Sequence, residues 1–526
     1  MMMNHILFQE HFLLVLKLIS KNMKMKNITV IGIIVMGLFQ SSCNEDFLNQ
    51  TDPTKVGVDV FYQNEAQVKQ ALNGVYGTLQ GITNTAYLFG EFQTDNTTVD
   101  LNPSDRGGAG GWEAFEYSTV NSGNGEIATV WNIYYAALYN LNLTLEKLAT
   151  STITDAPKKE VEGQLKFIRA YLYFNLVQYF GDVVIVTNTL ATPDPAFDLV
   201  RSPQADVWAL IQKDLTEAIA LLPATYTNAV DKGRATKGAA LGLLGKVYLT
   251  NKKYAEAVTT LKQVTTLGYS LNAAYADNFD PSPSKKNGVE SLFEIQYQGD
   301  NDLGEQSSFE YVFAPRVSKG AVTGYSAGAN GGRNAPTNDI IEAYEKGDLR
   351  KDASLKTSFT LDGVVYPVTY VTKFNYPHTI VQRTNTNWPI LRYADVLLML
   401  AESINEQSGP TGEALGYLNQ IRKRAGLADL AGLDKTAFRT AVLKERRLEL
   451  AFENHRWFDL KRTMTPAEWA AFMNAHGARE KAKPTIARGN VPFNSTDYIF
   501  SDFEYYLPLP APQILINAKL AQNPGY

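Results

Sequence analysis

Between Leu244 and Val264 the sequence carries the pattern that most narrows its architecture. Leu244-Gly245, Tyr248, Tyr254, Ala257, Leu261 and Val264 follow the register of a tetratricopeptide helix pair. Small Gly245 and Ala257 let two antiparallel helices approach, and the larger residues fill the seam between them. Such a pair cannot bury its apolar face alone, so neighbouring pairs have to stack on it. Residues 130–180 and 391–424 supply looser versions of the same unit. A mainly α-helical scaffold is the expectation.

The rest of the chain fits that frame. Asn64-Glu65-Ala66-Gln67 has capping-box chemistry, and Val68, Ala71, Leu72, Val75, Tyr76 and Leu79 then recur at helical spacing. The same periodicity predicts helices over 130–148, 161–180, 205–222, 393–406, 413–425 and from Asp434 to about Leu460. Residues 81–125, rich in Gly, Asn and Asp, read as a loop with exposed-looking aromatics. Between Asp277 and Pro389 the character changes: Phe293, Ile295 and Tyr297 alternate as in a strand, and Asp362-Gly363 reads as a hairpin turn. Long Gly/Asn/Ser loops lie around 299–337, so the scaffold carries long loops and a few short β-strands and hairpins.

Composition then sets the compartment. Cys43 is the one cysteine in 526 residues. Lys24 and Lys26 precede the uncharged apolar stretch Ile28–Phe39, and Ser41 and Ser42 lead into Cys43. That stretch is too short to span a bilayer, which takes ~20 residues. It fits an export signal over residues 1–42, with lipid attachment to the Cys43 thiol and a polar tether over 43–59. A second apolar patch, Ile6 to Ile19, is interrupted by Glu10 and His11, so residues 1–22 read as the product of an upstream start codon. Removing residues 1–42 takes four basic and one acidic residue from 49 and 54, leaving 45 against 53 and a formal charge of −8. That balance argues against nucleic acid or an anionic lipid surface as partner. With no further cysteine, and only His378, His455 and His476 remaining, disulfides and thiolate or multi-histidine metal centres are disfavoured. No cofactor is expected, although a structural calcium ion among the Asp/Asn-rich loops stays open.

Several segments resemble the SusD/RagB family, surface lipoproteins of Bacteroidetes that capture nutrients. They are Cys43-Asn44-Glu45-Asp46-Phe47-Leu48, then Ala71-Leu72-Asn73-Gly74-Val75-Tyr76, and Lys166-Phe167-Ile168-Arg169-Ala170-Tyr171 running into Phe180-Gly181-Asp182-Val183. More specific are Leu391-Arg392-Tyr393-Ala394-Asp395-Val396, Leu418-Asn419-Gln420-Ile421-Arg422, the block Glu445 to Leu460, and the closing Gln522-Asn523-Pro524-Gly525-Tyr526. Asn454 stands where the family usually has Gly, and Ala518 where it often has Pro. The resemblance implies a SusD-like α-helical fold, with an N-terminal part over 60–275 holding tetratricopeptide-like helices and a RagB/SusD C-terminal part over 276–526. It implies an outer-membrane location facing outward, with the acidic residues after Cys43 acting as a surface-export signal. The implied partner is a SusC-like TonB-dependent transporter barrel, over which the chain acts as a ligand-binding lid.

The remaining motifs have plainer readings. Glu445, Arg446, Glu449, Glu453, Arg456 and Asp459 recur at helical steps and suit paired, partly buried charges that knit helix and loop together. Gly324-Tyr325-Ser326-Ala327-Gly328 matches a nucleophile elbow, but Gly-Ala-Asn-Gly-Gly follows in place of a helix. No carboxylate pair is singled out for glycoside cleavage. A ligand site belongs in loops held by the helical frame, and two qualify, 81–125 and 296–337. Tyr87, Phe89, Trp112 and Tyr117 in the first, with Tyr297, Tyr311 and Tyr325 in the second, can stack on sugar rings. Asp95, Asn96, Asp105, Arg106, Asn330 and Arg333 can bond hydroxyls. Trp112 leads this group, because the glycines crowding it favour exposure. The resulting reading is a lipoprotein that binds an oligo- or polysaccharide and delivers it to the transporter. The alternatives are the same lid for a peptide or another nutrient, a glycoside-cleaving enzyme, and a pure scaffold.

Overall fold

The structure, a computed structural model, describes residues 61–100, 111–190, 192, 194–325, 331–489 and 491–526. The expectations for the export signal, the start site, Cys43, the tether, Asp105, Arg106, Ser326 to Gly328 and Asn330 fall outside that set. Tyr62–Tyr526 form one compact unit. In chain order its helices are α1 (Glu65–Gly90), α2 (Glu113–Tyr117), α3 (Gly125–Thr150), α4 (Asp155–Phe180), α5 (Gln204–Leu221), α6 (Lys237–Thr250), α7 (Tyr254–Val264) and α8 (Phe309–Phe313). They continue as α9 (Asn338–Ala343), α10 (Arg350–Ser354), α11 (Tyr393–Ser408), α12 (Gly412–Arg424), α13 (Lys435–Glu449), α14 (Arg456–Thr463), α15 (Pro466–Ala482) and α16 (Ala511–Ile516). Among the described residues, no helix is long and apolar enough to cross a membrane.

The helix pair that the sequence singled out is α6/α7. A Cβ on Gly245 would lie 2.3 Å from the Leu261 side chain, so only glycine permits this approach. The pair stacks as expected: α5 packs on α6, α4 on α3 and α5, and α7 on α11, which carries α12 and α13. The short strands form antiparallel pairs. β1 (Thr97–Thr98) pairs with β3 (Ala335–Pro336), β2 (Ser291–Ile295) with β8 (Trp388–Arg392), and β4 (Leu355–Lys356) with β7 (Tyr370–Val371). β5 (Phe359–Leu361) and β6 (Val364–Tyr366) form the hairpin read from Asp362-Gly363, both of which have positive φ, 52° and 78°.

Two expectations are corrected. Asn64 Oδ1 does accept the Gln67 N–H at 3.0 Å, but α1 then continues to Gly90 through residues read as loop. Gly81, Thr83, Asn84 and Thr85 are weak helix formers, yet Ile82, Tyr87, Leu88 and Phe89 are buried, and that burial outweighs propensity. Gly90 brings the helix end against Asn454, 2.5 Å from where a Cβ would sit. The second correction is a break in the predicted 434–460 helix. Between α13 and α14, Phe452 and Asn454 adopt φ of 65° and 64°. Asn is one of the few non-glycine residues that visit this region readily, which explains how it serves where the resemblance led us to expect Gly.

The charged block knits that break together, as its spacing suggested. Glu449 meets Arg424 at 2.5 Å, Arg392 at 3.0 Å and Arg350 at 3.2 Å. Arg392 also reaches Glu290 at 2.6 Å and Glu453 at 2.8 Å, and Lys373 meets Glu453 at 2.8 Å. Arg446 pairs with Asp395 at 2.7 Å and with Asp459 at 3.1 Å. These groups are buried, so each charge leans on its partners for the solvation it has lost.

Candidate functional site

The second of the two loop regions builds a rim on an aromatic base. In α8, Phe309 and Phe313 turn inward, Phe309 lying 4.6 Å from the Trp388 ring and Phe313 5.3 Å from Tyr87. That anchoring leaves Glu310 and Tyr311 on the other side of the short helix, toward the segment 376–383. The Tyr311 hydroxyl lies 2.5 Å from His378 Nε2, and His378 Nδ1 lies 3.4 Å from Glu310 Oε2. Burial pushes the Glu310 carboxyl up to about 8, against the pull of a hydrogen bond from the Tyr376 backbone. The Tyr325 ring packs 5.1 Å from the His378 ring, and its hydroxyl donates to the Thr379 carbonyl at 3.2 Å. Asn375 Nδ2 donates to the Val322 carbonyl at 2.9 Å, tying the two segments together. Tyr325 is half-buried, while Ile380 and Val381 are 37% and 46% exposed. The result is a small ledge of ring and aliphatic surface at the protein boundary, held from below by a carboxyl–imidazole–phenol chain.

Arg333 connects this rim to the first region. Its Nη1 donates to the Tyr87 hydroxyl at 2.7 Å, and its guanidinium lies 4.9 Å from the centroid of Trp112. Arg316 lies 5.9 Å from the same ring. Trp112 is therefore covered, at 8% exposure, and the expectation of an exposed indole is corrected: Arg316 and Arg333, remote in the chain, lie over its ring.

Most of the other candidates are also buried. Phe89 packs 4.9 Å from Phe115 and 5.1 Å from Tyr179. Tyr117 meets Tyr498 edge-on at 5.4 Å under the Arg488 guanidinium. Tyr297 donates to the Gln80 carbonyl at 3.2 Å. Asp95 takes a bidentate bond from Arg456 at 2.7 and 3.0 Å and a further pair from Arg447. Burial alone would raise its carboxyl, but the two guanidinium groups overcome this and hold it well below the ordinary range. Asn96 accepts from Arg447 Nε at 2.7 Å. The structure thus brings Tyr311, Tyr325 and His378 to one edge, joins Arg333 to Tyr87 and Trp112, and commits Phe89, Tyr117, Tyr297, Asp95 and Asn96 to packing and ion pairs. Glu310, His378, Ile380 and Val381 were not singled out as site residues from sequence. The one available signal was His378, among three histidines left after the leader and preceded by Tyr376-Pro377.

Comparison with known proteins agrees with this architecture. A family model described as "SusD family" matches residues 362–526, and one described as "Starch-binding associating with outer membrane" matches residues 46–249. SusD-like protein P2 of Formosa agariphila is 26% identical, over 94% of this chain and 99% of its own. A SusD-like protein of Bacteroides ovatus is 24% identical over 81% of each chain. Among solved structures, a laminarin-binding SusD-like protein superposes with a TM-score of 0.72 at 25% identity, covering 88% of this chain and all (100%) of that one. A SusD homolog from Bacteroides thetaiotaomicron gives 0.75 at 24% identity, covering 90% and 100%. With family models matching both halves and the helical fold shared with solved relatives, the chain belongs to the SusD/RagB family.

Proposed function

We propose that this protein captures a glycan at the Tyr325 rim, as an outer-membrane lipoprotein anchored through Cys43 and facing outward, and delivers it to a SusC-like TonB-dependent transporter. The observation that carries this reading is the half-buried Tyr325 ring, braced by His378 and bordered by exposed Ile380 and Val381. A sugar ring presents an apolar C–H face, and one well-placed aromatic contact adds ~0.5–1.5 kcal/mol beyond burial. The starch-binding family description and the laminarin-binding relative support the same ligand class.

Binding is favoured over cleavage at this rim. Glu310 is a raised carboxyl whose Oε2 faces the His378 imidazole at 3.4 Å. Glycoside hydrolysis uses two acids ~5–9 Å apart. A peptide ligand has less support, because Arg333, which would favour an acidic one, is already engaged with Tyr87 and Trp112. The test is calorimetric titration of the detergent-solubilised full chain with a panel of oligosaccharides, wild type beside Tyr325→Ala. Saturable heat with one glycan class, weakened by the substitution, supports capture at this rim; heat that the substitution leaves unchanged moves the site elsewhere.

A further inference from the structure

Beneath Tyr325, three side chains meet in a row that one proton can tip. The side chains of Glu310 and His378 are 1% and 3% exposed. Tyr311 holds one ring nitrogen: its hydroxyl donates to His378 Nε2, which leaves the ring N–H on Nδ1. Nδ1 stands between two acceptors, the Tyr376 carbonyl at 3.3 Å and Glu310 Oε2 at 3.4 Å. Both separations exceed those of a full hydrogen bond. Glu310 Oε2 is itself buried without a hydrogen-bond partner among the described residues. The ring is balanced between two acceptors, and the charge on Glu310 decides which one it favours.

The surroundings leave that decision to Glu310. Among the described residues, no lysine or arginine pairs with it. On the 376–383 segment Arg383 pairs with Asp302, and the Tyr376 hydroxyl turns away to the Ala276 carbonyl at 2.9 Å. Arg333 is held by Tyr87. Burial raises the Tyr311 phenol above its ordinary range, so it keeps its proton as a donor to the ring. From the 320–325 side comes the Tyr325 ring, 5.1 Å from His378, with its hydroxyl on the Thr379 carbonyl. A protonated Glu310 is a weak acceptor, and Nδ1–H can stay with the Tyr376 carbonyl. Once ionised, Oε2 becomes a charge-assisted acceptor, roughly twice as strong as a neutral one. Turning Nδ1 toward it swings Nε2 off the Tyr311 hydroxyl and tilts the face against which Tyr325 rests.

We infer that Glu310, His378 and Tyr311 form a one-proton switch under the rim: protonated Glu310 keeps the imidazole on Tyr311 and Tyr325 seated for its ligand, and ionised Glu310 draws Nδ1–H across and unseats it. The proton passes from Glu310 to solvent, and His378 keeps the one ring proton it had. The inference rests on the rim reading for what is bound, and on this geometry for what controls the binding. Because burial raises the Glu310 carboxyl to about 8, the seated form is complete below that value and is lost as pH rises through it.

The experiment reads the ring directly. The detergent-solubilised full chain, isotopically labelled at histidine Cε1, holds five histidines, and the His378 resonance is the one missing in His378→Gln. From about pH 6 to about pH 9.5 that resonance moves in wild type and stays still in Glu310→Gln, which keeps the shape of the protonated acid. Calorimetric titration over the same window uses laminarihexaose and maltohexaose, neutral sugars that bring no titrating group of their own. Affinity falls about tenfold from about pH 6 to about pH 9 in wild type, and less than about twofold in Glu310→Gln. His378→Gln removes the ring and flattens the binding profile as well, so it decides the matter should Glu310→Gln prove unstable. A His378 resonance that does not move, or that moves equally in Glu310→Gln, overturns the switch; so does a wild-type affinity that is level across the window. Failure of the rim reading shows separately, as heat that is absent at every pH or that Tyr325→Ala leaves unchanged, and the resonance then decides the switch by itself.

Discussion

The lattice around α13 and the rim around Tyr325 both bury carboxyl groups, and they do so with opposite electrostatics. Glu449 is surrounded by Arg350, Arg392 and Arg424; burial alone would raise its carboxyl, but these charges hold it down at about 2. Glu310 has a histidine and a backbone N–H for company, pairs with no arginine or lysine among the described residues, and rises to about 8. Both are removed from water. Pairing, not burial, separates a charge that holds helices together from an acid kept neutral beneath a surface.

The largest expected effect tests the lattice. Arg392→Met leaves Glu290, Glu449 and Glu453 facing one another with one cation fewer. Breaking a buried ion pair by removing one partner costs about 3–5 kcal/mol, and chemical denaturation should show a loss of that size. A loss below about 1 kcal/mol would mean that Arg350, Arg424 and Lys373 carry the network without it. Next comes Trp112→Ala. As a covered indole touching Phe92, Arg316 and Arg333, its removal should cost about 3 kcal/mol through the cavity left behind. If unfolding were unaffected while glycan affinity fell, Trp112 would return to the ligand surface.

The third expectation concerns pH and splits the two regions. Glu449's folded-state value lies below its ordinary 4.5, so its contribution to stability is present above that value and is lost as pH falls toward about 2. Glu310's lies above 4.5, so its contribution is complete below that value and is lost as pH rises through about 8. Glu91, also raised to about 8 by burial, adds to the alkaline decline. Melting temperature measured from about pH 5 to about pH 9 should therefore fall, and fall less in Glu310→Gln. An equal slope in the variant would mean that Glu310 ionises freely in the folded chain.

What the sequence disclosed depended on how local the information was. The α6/α7 seam was legible because Gly245 and Leu261 lie within one helix pair, and the Asp362-Gly363 turn because two adjacent residues set it. The α13 charges were legible in kind, since their spacing marks one helical face, although their partners Glu290 and Arg350 were not. Tyr87 and Phe89 were misplaced because the surfaces that bury them, Phe313 for one and Phe115 and Tyr179 for the other, come from remote elements. Trp112 was misjudged for the same reason: its covers, Arg316 and Arg333, arrive from another part of the chain. Tyr325 lies half-buried at the boundary, while His378 and Glu310 beneath it became visible only once α8 set them side by side.

The smallest expected effect on stability is also the sharpest test of the rim. Tyr325 is half-buried and its hydroxyl reaches the Thr379 carbonyl at 3.2 Å and, more weakly, the His378 carbonyl at 3.4 Å, so Tyr325→Ala should change unfolding free energy by only about 1 kcal/mol. If the exposed face stacks on sugar, the same change should weaken glycan binding up to about tenfold. Tyr325→Phe keeps the ring and loses only the hydroxyl, and should hold most of the affinity. Should Phe behave like Ala, the hydroxyl's grip on the 376–383 segment would be what matters, and Tyr325 would brace the ledge without stacking on the ligand. That outcome would shift the contact surface to Ile380 and Val381 and would make the rim, like the lattice, a place where polar groups serve architecture first.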